Sequence, residues 1–356
     1  PQELAAKARD MIVELGHVET PKDVAFGFRA DHAFIGHVSS TYDAGQYWQA
    51  REQGALDAMQ FWYRTSPREL AATQGFSSWG DWWLVTEKNP PMDVPGMVTL
   101  VLDAEGRLTM LRAIPDPNSQ RDTGHDLSQH EDDALWNQIN AASGLDFSSA
   151  DRASKRDVVP PDYADRLASW TRVKDARRPG REVSVEAGSF RGIATHFVVI
   201  DNWDRVRDDE PKYGSLALGV IIPTLFIALL TVAVVVARHN LRLKRGDRRG
   251  AIGVGVLFFG CNLFLWAFRT NHLASVELEI PTILSGISCC MFAGAVLSVA
   301  YLAFEPYVRQ IWPTLLISWN RLQDGRITDP LVGRDMLVGT AAGLAIGFLT
   351  SLGSVA

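Results

Sequence analysis

Two kinds of side chain in this sequence could do chemistry. The first is histidine beside acids. His125 and His130 flank Asp126, and Glu131, Asp132 and Asp133 follow. Imidazole and carboxylate together suit a metal ion. However, the two histidines are five apart, whereas helical neighbours share a face at i,i+4. The segment reads as a loop, and a solvated acidic loop is its commoner use. His32 and His37 have the same spacing and the same weakness. His196 falls in a strand and reads as a packed or surface residue rather than a general base. Neither a metal nor a cofactor is expected.

The second kind is aromatic. Trp48, Trp62, Tyr63, Trp79, Trp82 and Trp83 lie within 36 residues, with Arg64 and Arg68 nearby. Aromatic walls with an arginine can bind a small ligand or a cation. Core packing with an exposed dimer surface is the more ordinary use of such residues. Motifs for catalysis are missing. There is no glycine-rich phosphate loop after a strand, no HRD, no DFG, no Walker lysine and no G-x-S-x-G. Gly253-Val254-Gly255 sits inside an apolar run, where it cannot cradle phosphate. The chain itself is therefore expected to have no enzymatic activity.

The elements that must position these residues fall into two groups, which the charge distribution separates. Residues 1–213 hold 24 basic and 34 acidic residues, whereas residues 214–356 hold 11 and 7. The acidic part would be repelled by phosphate, which argues against a nucleic-acid partner. Gln2–Leu15 has Leu4, Ala8, Met11, Ile12 and Leu15 on one helical face, and Gly16 suits its end. A second helix is predicted over Asp132–Ala142, with Leu135 and Ile139 inward and Gly144 after it. Met97–Ile114 and Glu182–Ile200 read as hairpins, with turns at Asp103–Gly106 and Phe190–Gly192. An aromatic-basic strand precedes each, at Gln60–Arg64 and Ala168–Arg172. The expected fold is an α+β domain of two helix–strand–hairpin repeats, with residues 68–94 inserted in the first.

The second part contains four runs without charge: Gly214–Ala237, Ala251–Phe268, Pro281–Phe304 and Met336–Ala356. A bilayer core needs about 20 apolar helical residues, so an all-α transmembrane bundle of four helices is expected over 214–356. Arg238, Arg242, Lys244, Arg245, Arg248 and Arg249 crowd the first loop against Asp247 alone. By the positive-inside rule that loop is cytoplasmic, as is 305–335, while 269–280 and 1–213 are outside. Residues 1–30 contain no apolar run of signal-peptide length, so export implies a signal or span upstream. Within the 305–335 interfacial segment, Glu305–Leu322 reads as a helix lying in the interface. Tyr307, Trp312 and Trp319 sit there beside Arg309 and Arg321, with Arg334 further on. Gly339, Gly343 and Gly347 share a face of the last helix and would permit close packing, or are generic membrane-helix glycine. Cys261, Cys289 and Cys290 all lie inside spans.

Several runs carry a resemblance. They are Phe61-Trp62-Tyr63-Arg64-Thr65-Ser66-Pro67, Pro95-Gly96-Met97-Val98, Arg245-Gly246-Asp247-Arg248-Arg249-Gly250, Glu305-Pro306-Tyr307-Val308-Arg309 with Trp312-Pro313, and Asp329-Pro330-Leu331-Val332-Gly333-Arg334-Asp335. Together they resemble the extracytoplasmic and multi-spanning membrane region of some bacterial membrane serine/threonine protein kinases. The resemblance implies a non-catalytic sensory and anchoring region in the bacterial inner membrane. It also implies an upstream cytoplasmic catalytic domain. Expected partners are the lipid bilayer, a small ligand or envelope component, and a second copy in a homodimer. The rival reading is an accessory subunit or small transporter with an exported cap. Ionisable residues inside the spans would favour that rival.

Overall fold

The computed structural model describes residues 1–41, 58–72, 84–116, 129–147, 150–152, 164–175, 182–201, 213–312 and 316–353. They form an α+β unit and, after it, a helical unit.

The α+β unit begins with helix α1 (Gln2–Glu14), strand β1 (Asp23–Ala30), helix α2 (His32–Thr41) and strands β2 (Met59–Ser66), β3 (Val98–Leu102) and β4 (Leu108–Ala113). Then come helix α3 (Gln129–Ser143), short strands β5 (Leu145–Asp146) and β6 (Asp151–Arg152), and strands β7 (Arg166–Asp175), β8 (Glu182–Phe190) and β9 (Ile193–Ile200). The strands make one antiparallel sheet in the order β1-β2-β3-β4-β9-β8-β7-β5, with β6 also on β7. Both expected hairpins are present, and they meet through β4 and β9 at the centre. Strand β1 and helix α2 are additions that the sequence patterns did not reveal. The helix expected over Asp132–Ala142 is present as α3 and starts earlier, at Gln129, so His130 and Glu131 are helical rather than loop; His125 and Asp126 lie outside the described residues.

Local sequence explains the ends of these elements. Helix α1 closes in a Schellman motif. The His17 N–H donates to Ile12 O and the Gly16 N–H to Val13 O, both at 3.1 Å, with Gly16 at φ 100°. The β8–β9 loop is two residues long, and Arg191 and Gly192 both take positive φ, as a twist-matched hairpin turn requires.

Strand alternation sorts the core. Phe61, Tyr63, Val98, Leu100, Leu111, Val185 and Phe197 point to the face covered by α1 and α3, where Ala8, Met11, Leu15 and Ile139 close over them. Trp170 joins this core, edge-on to Trp136 and stacked on Phe147. The opposite face is covered near β2 and β3 by the chain from Leu84 to Met97, which contributes Val85 and Met97 to a smaller core around Trp62.

The helical unit contains α4 (Tyr213–Arg242), α5 (Arg248–Arg269), α6 (Val276–Ile311), the short α7 (Ile317–Gln323) and α8 (Pro330–Gly353). Four of these helices are long and apolar enough to cross a membrane. Helix α6 packs against both α4 and α5. The α5–α6 crossing is close because both backbones carry glycine. A Cβ on Gly294 would lie 2.7 Å from Gly255 O, and one on Gly286 would enter the Trp266 ring. Thus Gly255 of the Gly253-Val254-Gly255 run serves packing. By contrast, a Cβ added at Gly339, Gly343 or Gly347 would meet nothing within 4 Å among the described residues.

The expected interfacial helix Glu305–Leu322 is divided differently. Helix α6 runs on through Glu305 to Ile311, and α7 is separate. The break falls at Trp312, held at φ −132° and ψ 75°. Trp312 precedes Pro313, and a residue before proline is pushed out of the helical region. Pro306, in contrast, is tolerated inside α6. Its missing N–H leaves the Leu302 carbonyl, four residues back, without a helical donor. Asn240 of α4, only 3% exposed, supplies the replacement: its Nδ2 donates to Leu302 O at 3.0 Å and to Ala303 O at 3.1 Å.

This compensation has a measurable cost. Asn240→Leu should strand the Leu302 carbonyl and destabilise the helical unit by about 1–3 kcal/mol. Pro306→Ala restores the backbone donor and should make the same Asn240→Leu change nearly neutral. Thermal unfolding of the four variants of this cycle in detergent gives the coupling, and additive effects would refute the assignment.

Candidate functional site

The aromatic-basic strand does not act as one group, because alternation splits it. Tyr63 points into the helix-side core, stacked on Phe26 with ring centroids 6.3 Å apart. Trp62 and Arg64 point to the other face. Trp62 lies over Gly27, its register partner on β1, where any Cβ would come within 2.9 Å of the ring. Trp62 and Tyr63 are thus core residues. Trp48, Trp79, Trp82 and Trp83 lie outside the described residues. Arg68 is on the surface, paired with Asp93 at 2.8 Å.

Arg64 is different. It is 1% exposed, the most voluminous of the fully buried side chains. Its Nη1 donates to Thr86 O at 2.8 Å, while Nη2 has no hydrogen-bond partner among the described residues. Burial pushes its pKa down to about 10; the Glu87 charge opposes that shift and the Arg112 charge adds to it. A buried guanidinium with spare donors is costly unless an anion or acceptor completes it.

Register pairing extends this position into a row. Arg64 pairs with Thr99, Thr99 with Arg112, Arg112 with His196, and His196 with Gly188. Directly paired residues share a sheet face. Three basic side chains therefore stand in a row of four across the middle of the sheet. A cavity of about 530 Å³ opens over the Thr99, Arg112 and His196 part of this row, with Met110, Glu87 and Lys88 also in its wall; Arg64 lies buried next to Thr99 and does not itself line it. Glu87 is occupied by an ion pair to Arg29, whose Nε also donates to Gln60 Oε1 at 2.8 Å. The arrangement suits an anionic group, carboxylate or phosphate, on a small ligand. His196, expected as a packed or surface strand residue, is 7% exposed within this row.

A second cavity, about 850 Å³, lies on the helix side between the end of α1 and strands β1 to β3. Ile12, Val24, Phe26 and Tyr63 wall it, and Arg9 and His17 are among its polar residues. His17 Nε2 donates to Ala194 O at 2.7 Å. Burial lowers the His17 pKa, and that backbone hydrogen bond opposes the shift only in part. Neither cavity had a sequence signal, since each is assembled from strands remote in the chain. Among the described residues, no three His, Cys, Asp or Glu side chains form a metal-binding group.

The proposed interfacial residues also separate. Trp319 lies against α5 beside Gly253, and Gln323 Nε2 donates to Gly250 O at 3.2 Å. Trp312 and Tyr307 are exposed. Arg309, Arg321 and Arg334 are each paired, with Glu305, Asp329 and Asp335.

Two outcomes are expected. Millimolar citrate or inorganic phosphate should raise the thermal midpoint of the α+β unit. Arg64→Met should remove that increment while leaving anion-free stability equal or higher, because a buried charge has been replaced by a hydrophobe. An equal increment in both proteins would exclude Arg64 from anion binding. For His17, the unfolded chain takes up a proton near pH 6.5 while the folded chain does so only at lower pH. Its stabilising contribution is complete above about pH 6.5 and is lost as pH falls toward the lowered folded value. His17→Gln should flatten the decline in thermal midpoint below pH 6.5; an unchanged profile would assign the decline to other groups.

No protein-family model, no curated protein and no solved structure matches this chain.

Proposed function

We propose that this chain is the sensory and membrane-anchoring region of a receptor-like bacterial serine/threonine protein kinase. In this reading the α+β unit lies outside the cytoplasm and recognises an anionic small ligand. The helical unit anchors it in the inner membrane and passes the signal to an upstream catalytic domain. The observation that carries the reading is Arg64, buried with one unmatched nitrogen, in the same row as the residues beneath the 530 Å³ cavity. A domain built only to cap a bundle has no need of an incompletely satisfied guanidinium in its interior. Coupling would run through α7, because Trp319 links it to α5.

One observation favours the rival, an accessory subunit or small transporter with an exported cap. Glu305 lies in the continuous α6, is 4% exposed, and has one carboxylate oxygen without a partner among the described residues. Buried carboxylates in spans often mark ion paths. Arg309 nevertheless neutralises this one at 2.6 Å, and it lies near the end of α6. That favours a structural ion pair.

The test is phosphorylation output of the full-length protein in membranes. Arg64→Met should abolish the anion response, and Trp319→Ala should shift basal output. In a background lacking the three native cysteines, Glu14→Cys should label in intact cells with an impermeant thiol reagent and Lys244→Cys should not. Normal output from both variants, or the reversed labelling pattern, would overturn the reading.

A further inference from the structure

The loop joining α4 to α5 carries charge that the fold does not use. Arg238, Arg242, Lys244, Arg245, Arg248 and Arg249 are all exposed. Among the described residues, none of the six makes an ion pair. Asp247, the one acid among them, is turned inward. Its Oδ1 accepts the Gly250 N–H at 2.9 Å as the cap of α5, and its Oδ2 accepts the Tyr301 hydroxyl at 3.4 Å. In the segment from Glu305 to Asp335, three of the four arginines have carboxylate partners: Arg309 pairs with Glu305 and also lies 4.0 Å from Asp247, Arg321 pairs with Asp329 and Arg334 with Asp335, while Arg326 makes no ion pair among the described residues. The contrast cannot come from a general surplus of arginine, since both segments are rich in it.

Helix electrostatics do not explain the loop either. Arg238 and Arg242 sit in the last turns of α4, where the dipole welcomes a cation. Arg248 and Arg249 are the first two residues of α5, where the dipole repels one. Exposed apolar residues flank the cations on both helices: Val235 at 61%, Leu243 at 47% and Ile252 at 66%. A partner must therefore present negative charge and apolar surface at the same level.

We propose that the α4–α5 loop is a binding site for anionic phospholipid headgroups, with the cations on the phosphates and the acyl chains along α4 and α5. This rests on the four long apolar helices crossing a membrane and is independent of the Arg64 cavity. A soluble anion would satisfy the charge but not the flanking apolar rim. Cations at a bilayer surface each favour anionic lipid by about fivefold.

The experiment uses the whole chain reconstituted in vesicles with spin-labelled phosphatidylglycerol or phosphatidylcholine, reading the motionally restricted fraction of each. Phosphatidylglycerol should associate at least about fivefold more strongly. The preference should fall as salt rises. It should vanish in the variant Arg242→Gln, Lys244→Gln, Arg245→Gln, Arg248→Gln, Arg249→Gln. A second variant, with the same arginines changed to lysine, keeps the charge and should keep the preference. Equal association of both lipids with the wild-type chain would overturn the proposal. So would a preference that persists in the glutamine variant. Abolition of the preference by millimolar inorganic phosphate at constant ionic strength would assign the loop to soluble anions instead, and would also overturn it.

Discussion

The pairing of β4 with β9 holds the α+β unit together. Only Met110–Val198, Leu111–Phe197 and Arg112–His196 stand in register across it, yet they join two hairpins remote in sequence into one sheet. Leu111 and Phe197, both fully buried, anchor that junction in the helix-side core. On the other face the same register brings Arg112 beside His196, and so creates the basic row and its cavity. A slip of one residue would move every side chain of one half to the wrong face. The continuous core beneath α1 and α3 therefore fixes the register, and the register fixes the site.

In the helical unit an equivalent constraint comes from the backbone. A buried carbonyl has no water to bond, so a polar main-chain group in the interior must find a partner within the protein. Pro306 creates such an orphan, and Asn240 answers it from the neighbouring helix. This is a polar link between α4 and α6; between α5 or its cap and α6, Ser298 Oγ donates to Ala251 O at 3.0 Å and the Tyr301 hydroxyl to Asp247. Gly255 and Gly294 do the complementary work between α5 and α6, where backbone meets backbone. Polar repair at one end of α6 and close approach along it explain why that helix forms the centre of the unit.

Charge is used in opposite ways by the two basic segments of the helical unit. Between α6 and α8, three of the four arginines are matched locally, so the segment folds against α5 with little outward field. Between α4 and α5, the single acid is spent on a helix cap and the cations remain outward. Six cations in one loop and four in the other are therefore not the same signal. Counting alone could not separate them, because the difference lies in which carboxylates face inward.

Much of the architecture was legible in the sequence, for local reasons. Apolar spacing marked α1, turn residues marked both hairpins, and long uncharged runs marked the four long helices; each depends on neighbours in the chain. Strand β1 was not legible, because alternate residues of Asp23–Ala30 face a side that α1 covers only in part, which leaves Phe26 and Phe28 exposed. The aromatic cluster was visible as composition but misleading as a site, since strand geometry sends Tyr63 and Arg64 to opposite faces. The break at Trp312 was implicit in Pro313, whereas the survival of α6 through Pro306 required Asn240, which is 66 residues away. The sequence by itself determined α1, α3, both hairpins and the four candidate spans, because those follow from periodicity and the local backbone. Only the tertiary structure decided which arginines are matched and which are left with spare donors, because the partners of a buried charge are chosen by packing between segments remote in the chain.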